Sequence, residues 1–531
     1  MSRLANHVVI GSGLSAIGSI RALLKAGYRP IVLDVGQTLP ENKRKFTKKL
    51  ALKNPVSWTK KERKELSSNK SIEDTSIGIP EKKLFGSSFF YGDNEAQSQF
   101  SYEGISPPFS FAKGGLAEGW GASTLPPSKD DVLDWPISYE EIIHYFKEVL
   151  NQLPFSAVQD DLNKEFPVLH DSPLSLRPAE FDKTLLAKLV KLSKKNPNLL
   201  CGQARLVVNA SSSSQSGCKN CGECMSGCVF GAIYKPSDEI DALIKDDKIE
   251  YISQIFVTSL ETNTEGLITV NYLNASGGKG LINAKRVYLG AGAINTSKIV
   301  LNSLQPELKN LNLQTRGGYV VPSFSFSKIK SRWPNTNTLP SIFIEQKNSF
   351  LKSWSHIQVS TTNELLIRKK LNLMSKSSFF SPLVNVLLSR VIVLFINYHS
   401  KHSGSYELAL DKLNPKNKNP TLSSIYLAKK PNFLVRISSF FELLILFLKT
   451  GNLLLLPFSI LNSGTYHVGG SLPMRNSPKA QDETDIFGQL HNLKKVHIVD
   501  SSVFPSLPST TIGLLSMSNA YRITEKTCFD D

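Results

Sequence analysis

The chain has 531 residues, of which 41% are hydrophobic and 20% are charged, and its formal net charge is +17. A chain of this length exceeds what one simple hydrophobic core holds together, so we expect two domains. No recognition motif for nucleic acid accompanies the positive charge, which argues against a nucleic-acid-binding protein.

The N-terminal sequence shows none of the three segments of a secretory signal, namely a basic start, an apolar stretch and a cleavage site. We therefore expect a cytoplasmic protein, where thiols stay reduced and serve metal binding more often than disulfides. Basic side chains are concentrated between residues 43 and 64. Three interpretations of this concentration are open: a solvated surface, a site for an anionic substrate, and peripheral contact with the inner face of the membrane.

A short apolar stretch, residues 7–10, leads into Gly11-Ser-Gly-Leu-Ser-Ala16, which has the form G-x-G-x-x-A. Apolar residues at helical spacing follow, and a second apolar stretch, residues 31–33, ends at Asp34. This order of strand, glycine loop, helix, strand and acid is typical of a dinucleotide-binding fold. The pyrophosphate is expected at the helix N-terminus and the ribose at the carboxylate. The predicted contacts are Gly11, Gly13, Leu14, Ser15, Ala16 and Asp34, and the motif does not distinguish FAD from NAD.

Four of the six cysteines lie within residues 218–228, at the spacing C-x2-C-x2-C-x3-C. This spacing resembles that of bacterial ferredoxins, in which the fourth cysteine of the run serves a second cluster. Only one run is present, so the fourth ligand of a [4Fe–4S] cluster would be Cys228, Cys201 or Cys528. Zinc on four thiolates explains the count equally well, and a loop without metal is the third interpretation. The predicted metal ligands are Cys218, Cys221, Cys224 and Cys228.

Residues 311–459 contain no motif, as expected for a substrate-binding region, since such regions change with the substrate. Two apolar stretches occur near this region's middle and end, at residues 379–395 and 440–456. Charged residues interrupt both, so neither offers the roughly 18 clean apolar residues that indicate a membrane span. They are interpreted as buried helices. The alternative is an apolar surface, flanked by lysines, that rests on a bilayer or takes a lipid-linked substrate.

Near the C-terminus, residues 463–474 contain His467 between glycines, and residues 492–508 contain Asp500-Ser-Ser-Val-Phe-Pro-Ser506. These segments resemble the C-terminal signature of the glucose–methanol–choline (GMC) oxidoreductases, a family of FAD-dependent enzymes. Residues 113–121, 134–140 and 287–296 resemble further segments of the same family.

The resemblance implies an α/β fold in which a Rossmann-like FAD-binding domain is interleaved with an α+β substrate-binding domain. The FAD-binding domain is expected at residues 1–150, 205–310 and 460–531, and the substrate-binding domain at residues 151–204 and 311–459. The resemblance also implies FAD contacts at Gly114, Gly115, Trp120, Gly121, Ala291, Gly292, Asp500 and Ser501.

A neutral imidazole suits the removal of a hydroxyl proton, because its ordinary pKa lies near neutral pH. The flanking glycines indicate that the backbone at His467 packs closely against another group, such as the flavin ring. By its motif, His467 corresponds to the family's catalytic histidine; a hydrogen bond to the flavin edge is the alternative role. Where the family usually has a second His or Asn, this chain has Thr511, which donates a hydrogen bond but is no base at neutral pH.

The sequence thus predicts an FAD-dependent dehydrogenase or oxidase in which His467 removes the hydroxyl proton and the flavin takes the hydride. The expected substrate is a small-molecule alcohol or sugar, including nucleotide- or lipid-linked sugars of polysaccharide synthesis, and the electron acceptor is left open. The alternative is an iron–sulfur flavoprotein that relays electrons or senses redox state without alcohol turnover. An open pocket at His467 favours the enzyme, and a sealed pocket favours the relay.

Overall fold

The computed structural model describes residues 4–67, 82–91, 99–104, 106–329, 335–348, 353–361, 390–411, 420–427, 433–455 and 466–529, with the backbone alone at 433–436. Its strands are β1 (Leu4–Ile10), β2 (Ile31–Leu33), β3 (Phe100–Glu103), β4 (Leu199–Gln203), β5 (Glu250–Ile252), β6 (Ile255–Thr262), β7 (Ile268–Asn274), β8 (Lys279–Leu289), β9 (Asn310–Thr315), β10 (Gly318–Ser325), β11 (Ile342–Lys347), β12 (Trp354–Ser360), β13 (Val391–Asn397), β14 (Ser405–Leu410), β15 (Leu422–Leu427), β16 (Asn452–Leu454), β17 (Val468–Gly469), β18 (Gln489–Leu490) and β19 (Leu493–Ile498). Its α-helices are α1 (Leu14–Lys25), α2 (Glu41–Ala51), α3 (Lys60–Leu66), α4 (Tyr139–Leu150), α5 (Glu180–Ser193), α6 (Pro236–Lys245), α7 (Ala293–Ser303), α8 (Phe433–Thr450) and α9 (Gly513–Thr527).

The first sheet has eight strands and a parallel centre. Strands β5, β2, β1, β8 and β19 lie side by side in this order, all parallel. Antiparallel strands complete the sheet, with β18 beside β19 and with β7 and β6 beside β8. The chain leaves β1 for β2 on one side and later adds β8 on the other, so the strand order reverses at β1. Ligands bind at such a reversal, outside the carboxyl ends of the strands.

Helix α1 links β1 to β2 and begins at the glycine loop, with Gly13 as its extended N-cap residue. It ends before Gly27, whose φ of +85° suits a residue without a side chain and whose N–H donates to Leu24 O. A Cβ atom at Gly18 would clash with Met517 O of α9. The missing side chain therefore lets the first and last helices approach closely, and both ends of the chain build one domain.

The second sheet has six strands in the order β16-β10-β13-β12-β11-β4, with antiparallel neighbours throughout. Helices α5 and α8 cover it with apolar side chains that include Leu185, Leu189, Leu443 and Phe447. The strands come from residues 199–203 and 318–454, on both sides of the segment that supplies half of the strands of the first sheet. The fold class is thus confirmed, while the domain boundaries stay a prediction.

A third sheet of five strands, in the order β17-β9-β14-β15-β3, joins distant parts of the chain. Strand β17 pairs with β9, with Val468 opposite Thr315 and Gly469 opposite Gln314. Because β17 directly follows His467, this pairing fixes the histidine against the start of the second sheet.

The two apolar stretches differ from their interpretation as buried helices. In the first, residues 391–397 form β13, since β-branched Val and Ile favour a strand; residues 379–389 lie outside the described part of the chain. The second stretch does contain a helix, α8, followed by β16. Its side chains at Phe441, Ile445 and Leu448 are 54%, 52% and 44% exposed, so this face of α8 is not buried. Among the described helices, none combines the length and apolar character needed to cross a membrane.

Candidate active site

A cavity of about 530 Å³, here called the main cavity, lies at the carboxyl ends of the parallel strands. Its wall also contains residues of the second sheet, among them Gly318, Gln358 and Asn397. The predicted cofactor and catalytic residues on this wall are Gly11, Gly13, Leu14, Ser15, Asp34, Gly114, Gly115, Trp120, Gly121, Ala291, Gly292, His467, Asp500, Ser501 and Thr511. Ala16 is fully buried behind them. The fold therefore brings residues from four separate segments of the sequence to one place.

The glycine loop after β1 leaves the N-terminus of α1 open to the main cavity. Gly11 has a φ of +103°, and a Cβ atom there would lie 2.5 Å from Gly290 O. At Gly13 the nearest atom to an added Cβ would be Gly114 O, at 3.8 Å. Ala16 packs against the end of β8, since a Cβ atom at Gly290 would lie 3.2 Å from Ala16 N. The open helix end, with its free N–H groups, suits a phosphate.

Asp34, directly after β2, joins the two glycine loops. Its Oδ2 accepts hydrogen bonds from the Ser12 hydroxyl and, at 2.8 Å, from the Tyr251 hydroxyl. The Ser12 oxygen in turn accepts a hydrogen bond of 2.9 Å from Gly114 N. Burial raises the pKa of Asp34 to about 6. The carboxylate lies on the cavity wall, where hydroxyl groups are already its partners.

The second glycine loop continues the wall. Gly114 has a left-handed φ of +91°, and a Cβ atom there would lie 3.0 Å from Ser237 N. The Trp120 indole donates to Tyr234 O at 2.8 Å, which fixes the ring at the cavity. Among the described residues, no atom lies within 4 Å of a Cβ position at Gly121. The loop thus leaves space on its cavity side.

Asp500, just after β19, holds the N-terminal end of α7. Its Oδ2 accepts from Gly292 N at 2.9 Å and from the Thr296 hydroxyl at 2.5 Å, and its Oδ1 accepts from Ser502 N at 2.9 Å. Burial raises the pKa of this carboxyl. Asp500 therefore orders the loop around Gly292, and its direct contact with FAD stays a prediction. The neighbouring Ser501 hydroxyl donates to Val468 O at 2.7 Å, next to the histidine.

His467 is half-buried and lies on the wall of the main cavity. Burial, and then the positive charge of Arg316, hold the pKa of His467 well below its usual range. The imidazole is therefore neutral at physiological pH, as a proton acceptor must be.

The glycines after His467 pack against the chain itself. A Cβ atom at Gly469 would clash with Ser501 O, and one at Gly470, where φ is +65°, would lie 2.8 Å from Phe504 O. The expectation of a close neighbour is met, but for these two glycines that neighbour is the 501–504 backbone rather than a flavin ring.

Two donors lie beside His467 on the cavity wall. The Thr511 oxygen accepts from Leu125 N at 3.3 Å, which leaves its O–H free to donate to a ligand. Arg316 donates through Nη1 to Ser509 O at 2.7 Å and to Thr510 O, whereas its Nε has no hydrogen-bond partner among the described residues. Burial lowers the pKa of Arg316 to about 9, so the guanidinium stays charged at neutral pH.

A buried chain of polar side chains reaches the cavity from the second sheet. His356 Nδ1 lies 2.5 Å from Glu345 Oε1, and His356 Nε2 lies 3.0 Å from Gln358 Nε2. Burial raises the pKa of Glu345 and lowers that of His356, so both are neutral. Gln358 carries this chain to the cavity wall.

The structure matches 507 chains of solved structures. One of them is pyridoxine 4-oxidase from Mesorbium loti, with a TM-score of 0.59 and 11% sequence identity, over 99% of this chain and 100% of that chain. The chain therefore shares the mixed α/β fold of that enzyme. At this identity the likeness establishes the fold and not the substrate, because one fold hosts many functions. The sequence matches no protein-family model and no curated protein.

The residues of the main cavity fit FAD. The open N-terminus of α1 suits the pyrophosphate, and Asp34 suits a ribose hydroxyl. Gly121 and Gly292 lie where, among the described residues, no atom comes within 4 Å of an added Cβ. These positions form a cradle that side chains would fill, which is what a large planar cofactor requires.

Sequence reasoning did not find Arg316, Gln358 and Asn397, all three on the cavity wall. Asn397 ends the apolar strand β13, and a polar residue at the end of a buried strand is a signal of a polar site; Gln358 lies in β12 beside other polar residues and gives no such isolated signal. The signal does not say which site, because the strand pairing that brings these residues to His467 is a tertiary feature.

The four predicted metal ligands line a second, small cavity, here called the cysteine cavity. All six cysteines are thiols rather than members of disulfides, and burial raises the pKa of Cys218 and Cys221. In the described part of the chain, no three His, Cys, Asp or Glu side chains form a group that could hold a metal ion. The described residues thus show no assembled site for either of the predicted metals, zinc or an iron–sulfur cluster.

Proposed function

We propose that the protein is an FAD-dependent oxidoreductase of the GMC type that oxidises a CH–OH group, with His467 as the base. One observation carries this proposal: a half-buried, neutral imidazole shares its cavity with the glycine loop at the N-terminus of α1. An alcohol bound between them can lose its hydroxyl proton to the imidazole and its hydride to a flavin held at the glycine loop.

The proton has one acceptor in this proposal. FAD, when bound, accepts the hydride of the carbinol carbon. The imidazole of His467 accepts the hydroxyl proton, and its depressed pKa keeps it unprotonated until the alcohol is in place. Thr511 cannot share this role, since its hydroxyl does not ionise near neutral pH.

Two groups stabilise the negative charge that develops on the substrate oxygen. Arg316 offers a buried positive charge with an unpartnered Nε among the described residues, and Thr511 offers an O–H donor. Fixed donors in a site with little water stabilise such charge strongly. Arg316 therefore compensates for the second histidine or asparagine that this chain lacks.

The substrate is proposed to be a sugar or another polar alcohol. Besides Arg316, the wall near His467 contains the amide side chains of Gln358 and Asn397. Neutral amides both donate and accept, which suits the hydroxyl groups of a sugar. A nucleotide- or lipid-linked sugar of polysaccharide synthesis is the finer form of this proposal.

The exposed face of α8 supports peripheral contact with a membrane. Phe441, Ile445 and Leu448 lie three or four residues apart on α8, and Leu453 and Leu455 follow at the end of the second sheet. Lys449, at the end of α8, is exposed beside them. Apolar side chains with basic flanks bind the interface of an anionic bilayer. Such contact would suit a lipid-linked substrate and a cytoplasmic location.

An anaerobic titration tests the proposed reaction. Purified protein should show the two absorption bands of oxidised flavin, and stepwise addition of sugars and simple alcohols should bleach them. Protein without flavin, after reconstitution with FAD, would overturn the proposal. A flavin that is bleached by dithionite but by no alcohol in a broad panel would favour the alternative, an electron relay. The placement of His467 on an accessible cavity wall argues against this alternative.

A further inference from the structure

We propose that Cys218, Cys221, Cys224 and Cys228 bind one [4Fe–4S] cluster, through which electrons pass from the main cavity to an acidic one-electron carrier protein. The source of the electrons rests on the function proposed above. Cluster binding does not, so the two are tested separately.

The thiols are brought together by the fold. Each of the four cysteines lines the cysteine cavity, which is separate from the main cavity. Cys201 lies on β4, opposite Ile344, and the Cys528 thiol donates to Glu525 O at 3.6 Å. Neither lines the cysteine cavity, so the fold selects Cys228 as the fourth ligand.

Two main-chain N–H groups point at the sulfur atoms. Ala232 N donates to Cys228 Sγ, and Thr338 N donates to Cys224 Sγ, both at 3.3 Å. Such bonds stabilise the negative charge of thiolate ligands, and hydrogen bonds to sulfur set the potential of iron–sulfur clusters. Thr338 belongs to a segment far away in sequence, so the loop and the substrate-binding region meet at this site.

The four thiols line one cavity, and this arrangement does not suit a single zinc ion. A tetrahedral zinc site needs all sulfur atoms at about 2.3 Å from one point. In the described residues no three cysteines converge in this way, although four surround one cavity. The thiolates of an iron–sulfur cube bind separate iron atoms, so they need not converge on one point.

The cysteine cavity lies next to the main cavity. Met225 is on the wall of the main cavity, and its chain neighbour Cys224 is on the wall of the cysteine cavity. Consecutive Cα atoms are about 3.8 Å apart, so the two cavities share a thin wall at this point. A cluster here would be a near neighbour of a flavin in the main cavity.

A basic surface covers the other side of the cysteine loop. Arg63 of α3 donates to Cys221 O at 2.9 Å and pairs with the buried Glu223 at 3.0 Å. Trp58 stacks on Phe230 with ring centres 5.8 Å apart. The exposed basic residues on α2 and α3 are Arg44, Lys45, Lys48, Lys49, Lys60, Lys61 and Lys64.

Apolar side chains lie within this basic surface. Between α2 and α3, Leu52 is 90% exposed and Val56 is 77% exposed. An apolar centre with a charged rim is typical of a protein-docking surface, and the positive charge selects an acidic partner. The acidic carrier would thus dock above the cluster.

The two electrons released by one alcohol equal the number that two molecules of this carrier accept. One alcohol and two oxidised carriers give one carbonyl product, two reduced carriers and two protons. The C–H and O–H bonds of the alcohol break and the second C–O bond forms. A cluster held by the four cysteines would supply one-electron transfer between the two-electron oxidation of the alcohol and the two carriers.

Analysis of anaerobically purified and reconstituted protein tests the cluster. We expect about four iron and four sulfide per chain, and a paramagnetic signal after reduction. The variants Cys218→Ser and Cys224→Ser should lose most of this iron, whereas the control Cys528→Ser should keep it. Flavin content and melting temperature identify a variant that misfolds. If both cysteine variants misfold, the iron and sulfide content of the unaltered protein alone tests whether a cluster is bound. Absence of both elements, or one zinc per chain, would overturn the cluster even if alcohols reduce the flavin.

Electron transfer to a purified acidic [2Fe–2S] ferredoxin tests the partner, with protein that has been reduced by dithionite and then freed of the excess. The variant Lys60→Glu with Lys61→Glu should slow ferredoxin reduction by about tenfold or more at low salt, because charge steers association. Acidic residues suit the first turn of α3, so its folding is preserved. The control Lys194→Glu with Lys195→Glu should react at the parent rate. Equal rates of ferredoxin reduction in both variants would contradict this choice of partner. So would a Lys60→Glu, Lys61→Glu variant that reduces ferredoxin at the parent rate but no longer binds phosphatidylglycerol vesicles.

Discussion

The main-chain N–H of Arg316 donates a hydrogen bond of 3.1 Å to the carbonyl oxygen of His467. The residues that flank this contact pair as β9 and β17, so the proposed base and the buried cation are held by the same ladder. The charge of Arg316 also lowers the pKa of His467. The two residues are therefore coupled both mechanically and electrostatically, which several of the following predictions use.

Replacement of His467 by Ala should slow the reduction of the flavin by alcohol about a hundredfold or more, the usual contribution of a positioned base. Stopped-flow measurement without oxygen isolates this step from reoxidation. The exposed His491 offers the matched control, since His491→Ala removes an imidazole far from the main cavity. A variant at position 467 that reduces its flavin at the parent rate would remove His467 from the mechanism.

The pH profile should show a base that remains neutral in acid. Because the pKa of His467 is lowered, its unprotonated fraction stays high as the pH falls below the ordinary histidine value of about 6.5. The acid limb of the flavin-reduction rate should therefore lie below that value. A limb at or above it would contradict the burial of the imidazole.

The variant Arg316→Met should shift the same limb to higher pH, because removal of the cation raises the pKa of His467. Its limiting rate should fall by about a hundredfold, the usual cost of one lost donor to a developing oxyanion. A purely structural role would lower flavin content or melting temperature and leave the limb in place, so these three measurements separate the two roles.

Substitution of Thr511 by Val and by Ser separates the role of the hydroxyl group from the role of the side chain's shape. Thr511→Val keeps the size but removes both the donor to the substrate and the acceptor for Leu125 N. We expect slower flavin reduction and a loss of stability of about 1 kcal/mol. Thr511→Ser retains the hydroxyl and should keep both the rate of flavin reduction and the stability of the parent protein. If Val reduces the flavin as fast as Thr, the hydroxyl plays no part in the reaction.

The glycine loop offers a test of cofactor binding with a matched control. Gly11→Ala would put a Cβ atom 2.5 Å from Gly290 O, which forces the loop away from β8, and FAD should no longer copurify. Gly27 has a similar positive φ of +85°, but among the described residues no atom lies within 4 Å of its Cβ position. Gly27→Ala should therefore cost only about 1–2 kcal/mol of backbone strain and keep the flavin. Normal flavin content in Gly11→Ala would mean that the loop does not hold FAD.

Flotation with vesicles tests the apolar face of α8. The unaltered protein should float with vesicles that contain anionic lipid, and the triple variant Phe441→Ser, Ile445→Ser, Leu448→Ser should not. Leu281, which is exposed on the first sheet, supplies the control Leu281→Ser. If the protein stays unbound to anionic vesicles, or if both variants float equally, this face does not contact a membrane.

The sequence by itself predicted the glycine loop at Gly11 and showed the segments that resemble GMC oxidoreductases. The reason is local: a turn at Gly11 and a helix that starts at Gly13 depend on residues close in the chain, and so does the cysteine spacing at 218–228. Thr511 was found in the same way, as the residue at which a local motif departs from its family.

Only the tertiary structure decided what surrounds His467. Arg316 and Gln358 reach it through antiparallel pairing of strands that lie far apart in the chain, and no short pattern records such pairing. The same holds for Val391–Asn397, where apolar composition indicated a helix and pairing with two neighbouring strands made a strand. The choice of Cys228 over Cys201 is of this kind as well. Turns, helix starts and ligand spacings depend on residues that are close in the sequence, whereas the shape and charge of a site depend on contacts that form only when the chain folds.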